Sequence, residues 1–138
     1  MTKKAKIKIC NLSLLVLGVL VLVSGIQLEA TSGRLPWNVW LHILVGILFF
    51  IGIVWHIVLH FGWEQWTTRF RKLKSPVTHV LAIAAAVALA SAVPATLHWM
   101  GDHLHSPVGA VHGKIGFLML AVAIGHTVKR FRYFKKLN

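Results

Sequence analysis

Four apolar stretches of about twenty residues constrain this chain more than any other feature. They cover residues 9–28, 39–61, 77–97 and 111–128, and each is long enough to cross the hydrocarbon core of a bilayer as a helix. With 57% hydrophobic and only 13% charged residues, the chain does not have the composition of an ordinary soluble domain. Short loops separate the stretches, so we predict an all-α protein: a single transmembrane domain, residues 1–138, folded as an integral-membrane four-helix up-down bundle.

The first stretch follows four lysines and therefore has some features of a signal peptide. Its apolar run, 12–23, is long for that role, and the small residues near 30–33 form only a fair cleavage site. A retained helix is the favoured interpretation. The one cysteine, Cys10, cannot form a disulfide within the chain.

The net charge of +12 would suit a nucleic-acid ligand, but its distribution suggests another explanation. Thirteen of the fifteen Lys and Arg residues lie in three clusters, 3–8, 69–74 and 129–136, which four spans would place on one side of the membrane. Positively charged segments favour the cytoplasmic side, so we expect both termini and the middle loop to be cytoplasmic. Membrane lipid is the expected partner of these clusters, and nucleic acid is not.

Two spans each carry two histidines at the same spacing. His42 and His56 lie fourteen residues apart in the second span, and His112 and His126 lie fourteen apart in the fourth. Fourteen residues of helix rise ~21 Å and complete nearly four turns, so both members of a pair share a face near opposite edges of the membrane. The second and fourth spans would run in the same direction, which puts His42 at the depth of His112 and His56 at the depth of His126.

A glycine follows each outer histidine by four residues, at Gly46 and Gly116. The pattern H-x3-G-x9-H-x4-F-x-aromatic thus occurs twice, as a weak internal repeat. Two matched imidazole pairs suit axial ligation of two haems, and a glycine on the same face leaves room for a flat ring. Zinc, which prefers a closed tetrahedral site at one depth, fits less well. A lone histidine would more often be a structural hydrogen-bonding group.

At these residues the chain resembles the cytochrome b subunit of the respiratory bc complexes, in which two parallel helices each carry H-x13-H. It is also similar to short bacterial di-haem membrane cytochromes with a ferric-reductase-like core. The resemblance implies two b-type haems, an outer one on His42 and His112 and an inner one on His56 and His126, in a multi-pass protein of the bacterial inner membrane. No C-x-x-C-H motif for covalent attachment is present.

Two histidines on each iron would leave no open position for substrate, which favours electron transport over catalysis at the metal. We therefore expect a cytochrome that carries electrons between a quinol, quinone or redox-protein partner on one face and a partner on the other, in a homo- or hetero-oligomer. The direction of electron flow stays open.

A transporter or structural protein without haem is another possible function for such a chain.

The alternative is a self-contained quinol-dependent or metal reductase. Its substrate or proton site would lie in the outer loop 98–110, where four polar residues cluster: His98, Asp102, His103 and His105. A solvated polar loop explains the same residues without a site.

Overall fold

A computed structural model describes residues 1–72, 75–101 and 106–135, with side chains for all of these except 66 and 129–135. The regular elements in these ranges are all helices. Their bounds are α1 Lys3–Thr31, α2 Pro36–Phe61, α3 Trp66–Arg71, α4 Pro76–Met100 and α5 Pro107–Lys135. The all-α prediction is confirmed.

Four of these helices, α1, α2, α4 and α5, are long and apolar enough to cross a membrane. They coincide with the four predicted spans, so a multi-pass membrane protein is the class that the helices support. Many large apolar side chains point away from the protein, among them Leu12, Ile47 and Ile83, which are 61%, 54% and 64% exposed. Lipid is the solvent in which such a surface is stable.

Proline and serine define where the helices begin. Pro36, Pro76 and Pro107 each occupy the first turn of their helix, where the missing N–H of proline costs no hydrogen bond. Ser106 precedes α5 and accepts a hydrogen bond at its Oγ from the N–H of Gly109, at 3.1 Å.

The helices extend further than their apolar cores. The turn between α1 and α2 covers only residues 32–35, fewer than the segment between the first two apolar stretches. Ser32 in this turn adopts a left-handed conformation with a φ of 51°. α4 contains Pro94 and continues through it to Met100, three residues beyond the predicted span. His98 consequently lies in the last turn of α4 and not in a loop, which corrects its predicted position.

The short helix α3 was not predicted. It has only six residues, of which Thr67 and Thr68 are poor helix formers. Its last turn carries Arg69 and Arg71, two members of the middle basic cluster.

The chain divides into two compact units, residues 1–73 and 74–138. In the first, α1 packs against α2: Ser24 contacts His42, and Cys10 contacts the backbone of Gly52. Rising numbers on α1 meet falling numbers on α2, so the two helices are antiparallel. In the second unit α4 packs against α5. Each unit is thus a helical hairpin in its own right.

Candidate metal-ligand centre

The imidazole of His42 lies against α1 at the outer end of the first hairpin. Its Nδ1 is 2.8 Å from the Oγ of Ser24, a side chain that is only 3% exposed. The neighbouring Gly25 also faces the ring, and a Cβ added there would make an ordinary van der Waals contact of 3.6 Å with Cε1 of His42. The serine hydroxyl also donates to the carbonyl of Val21 at 3.1 Å.

The second hairpin holds His112 in a similar way. Its Nδ1 is 3.1 Å from the Oγ of Ser91 and 2.9 Å from the carbonyl oxygen of Ala88, both on α4. The Ser91 hydroxyl donates to the same Ala88 carbonyl at 3.0 Å. A serine of the preceding helix therefore touches the outer histidine in both hairpins.

The hydrogen bond to Ala88 assigns the position of the ring proton in His112. A carbonyl oxygen can only accept, so Nδ1 of His112 must be the donor to Ala88. At His42, Oγ of Ser24 can donate to Nδ1 or accept from it, according to the tautomer of the ring. In a neutral imidazole with Nδ1 protonated, Nε2 carries the lone pair. Metal-ligating histidines commonly have this arrangement, in which a second-sphere acceptor at one nitrogen orients the other toward the metal.

Open space lies beside the two repeated glycines. A Cβ built on Gly46 or on Gly116 would meet no heavy atom of the described residues within 4 Å. Gly52 is different: its Cβ would lie 2.9 Å from Cδ2 of Leu14, so this glycine permits the contact between α1 and α2. Gly46 and Gly116 thus fit a flat ring beside the histidine, whereas Gly52 is a packing residue of the hairpin.

The inner histidines lie fourteen residues further along each helix. The ring of His56 packs against that of His60, with centroids 4.5 Å apart and planes tilted by 45°. His60 shares the face of His56, as the spacing of four predicts. His126 is half-buried on α5, next to Thr127, whose hydroxyl donates to the carbonyl of Ala123 at 2.8 Å.

The proposed outer substrate site can be located only in part. His98 is half-buried near the end of α4, while Asp102, His103 and His105 lie outside the described residues. Within the described part of the chain, no three His, Cys, Asp or Glu side chains converge as a closed metal site would require.

Sequence reasoning identified the histidines and missed Ser24 and Ser91. The position of Ser24 relative to the turn could have identified it as a partner of His42. Ser24 lies seven residues before the end of α1, and His42 lies six after the start of α2, so counting from the turn places them at similar depth. A polar residue level with a histidine on the antiparallel neighbour is a candidate hydrogen-bond partner.

No protein-family model matches the chain, and comparisons with curated proteins and with solved structures give no match either. The case for a function therefore rests on the residues themselves.

Proposed function

We propose that the chain is a di-haem b-type cytochrome that carries electrons across a membrane. One haem would take His42 and His112 as axial ligands, and the other His56 and His126. The observation that supports this most strongly is the geometry at the outer histidines. Each has Nδ1 in contact with a polar group of the preceding helix, which is the kind of second-sphere contact that orients metal-ligating histidines.

The chemistry of the donor set fits haem. Imidazole nitrogens are common axial ligands of haem iron, and Gly46 and Gly116 leave space on the helix surface beside the outer pair. The inner pair has the same fourteen-residue offset, and His60 contacts the ring of His56 and would restrict its rotation.

A bound b-type haem supplies a centre that gains and loses one electron without covalent attachment to the chain. Two histidines would hold each haem, and the surrounding side chains of these helices are largely apolar. Both features favour electron transfer over the activation of oxygen or substrate at iron. We expect the chain to exchange electrons with a quinol, quinone or redox protein at each face, in a bacterial inner membrane.

The test is purification in mild detergent after expression with ample haem. Oxidised and dithionite-reduced spectra and a pyridine haemochrome assay would measure the haem type and its ratio to protein. We expect two low-spin b haems per chain. His42→Ala or His112→Ala should remove one haem, and His56→Ala or His126→Ala the other, with distinct spectral losses.

His79→Ala is the matched control. The Nδ1 of His79 lies 3.0 Å from the carbonyl of Ser75 at the start of α4, and this histidine is in neither pair. The variant should keep both haems. A colourless wild-type protein with full helical circular dichroism would refute the proposal and favour a transporter or structural role for the histidines.

A further inference from the structure

A cleft of about 640 Å³ opens at the end of the first hairpin opposite His42. The start of α1, the end of α2, the turn after α2 and helix α3 all contribute to its walls. Since the basic residues of clusters 3–8 and 69–74 lie at this end of the first hairpin, it is the end expected to face the cytoplasm. None of the candidate haem ligands lines it.

The cleft is strongly cationic. Lys3 and Lys6 line it from α1 and Arg69 lines it from α3, while Glu64 is the one acidic residue among the described residues of its lining. Three cations on two separate elements therefore face a single carboxylate. Lysine and arginine in such a cluster favour a phosphate group, which arginine can bind through two hydrogen bonds at once.

The remaining wall is apolar and continues the transmembrane surface. Val58, Leu59 and Phe61 belong to the last turn of α2, and Trp63 follows them with 72% of its surface exposed. Tryptophan at the end of an apolar span is typical of the headgroup depth of a bilayer. An occupant that satisfied both walls would carry a phosphate beside a hydrocarbon chain.

We propose that this cleft binds the phosphate headgroup of an anionic glycerophospholipid, with Lys3, Lys6 and Arg69 on the phosphate and the apolar wall along an acyl chain. A free phosphate ion would use the cations but gain nothing from Val58, Leu59 and Phe61, so the lipid is the better fit. The proposal is independent of haem.

Native mass spectrometry of the full chain in detergent, titrated with phosphatidylglycerol or with phosphatidylcholine, tests it. We expect one phosphatidylglycerol to bind in preference to phosphatidylcholine. The triple variant Lys3→Gln, Lys6→Gln, Arg69→Gln should lower phosphatidylglycerol affinity by at least about tenfold, because each cation near an anionic headgroup contributes a several-fold gain.

The matched control is Lys4→Gln, Lys8→Gln, Arg71→Gln. It removes the same charge from the same two helices, but at exposed residues outside the cleft. This control should bind phosphatidylglycerol as the wild type does, with equal helical content in both triples. Equal losses in the two triples, equal binding of both lipids, or displacement of the lipid by millimolar inorganic phosphate would each overturn the proposal.

Discussion

Each outer imidazole is held at Nδ1 by the preceding helix. The carbonyl of Ala88 accepts from Nδ1 of His112, and the hydroxyl of Ser24 contacts Nδ1 of His42, so these contacts restrict the plane of each ring. Partners of this kind typically change metal affinity by about 10- to 100-fold when they are removed. We treat Ser24 as a positioning residue, since it would act on a metal only through His42.

Ser24→Ala should weaken binding of the outer haem by about tenfold or more, while Ser24→Thr, which keeps the hydroxyl, should restore it. A shift in the outer haem's low-spin electron paramagnetic resonance signal should accompany the loss, because the ring is no longer held. Haem titration of the haem-depleted protein would measure the affinity.

Ser91→Ala serves as the counterpart in the second hairpin. It should leave haem binding nearly unchanged, because the Ala88 carbonyl still accepts from Nδ1 of His112 at 2.9 Å. If Ser24→Ala keeps both the affinity and the resonance signal of the wild type, the positioning role assigned to Ser24 is wrong.

At the scale of the element, α2 uses two glycines for two purposes. Gly52 faces Leu14 of α1, where there is no room for a side chain without movement of the leucine. Gly46 faces open space among the described residues. The same substitution at the two positions therefore separates helix packing from haem binding.

Gly52→Leu should destabilise the hairpin by about 1–3 kcal/mol, because a side chain added to a close helix contact forces the neighbours apart. The apparent melting temperature of the protein in detergent should fall both with and without haem. Circular dichroism during heating would measure it.

Gly46→Leu should leave the melting temperature of the haem-free protein unchanged and remove the outer haem, so that two haems per chain become one. A Gly46→Leu protein that retains both haems would contradict the assignment of this space to a porphyrin ring.

At the scale of the whole molecule, the distribution of charge predicts orientation. The three basic clusters alternate with turns that are poor in Lys and Arg, and the helix order found here keeps that alternation. Positively charged segments resist transfer across the membrane. The turn at 32–35 should therefore face outward, and the segment after α2 should face the cytoplasm.

Cysteine labelling in intact bacterial cells measures this orientation. Arg34→Cys should react with a membrane-impermeant maleimide, whereas Gln65→Cys should react only after the membrane is broken. The native Cys10 is 1% exposed and should give little background, which the unmodified chain would show. Labelling of Gln65→Cys alone in intact cells would reverse the topology.

Much of the architecture followed from the amino-acid sequence alone. Runs of apolar residues predicted the four long helices, because span length is a local property of the chain. The histidine pairs and their glycines were also found by counting, since helical periodicity converts a spacing into a shared face. The short helix α3 was missed because its six residues form no apolar run and have weak helix preferences.

The tertiary structure alone decided which faces of neighbouring helices meet. Ser24 contacts His42, and Gly52 packs against Leu14. Lys3, Lys6 and Arg69 line one cleft, although Arg69 follows Lys6 by 63 positions in the sequence. The rotation of each helix about its axis settles such contacts. That rotation depends on the side chains of two helices together, so no single apolar stretch encodes it.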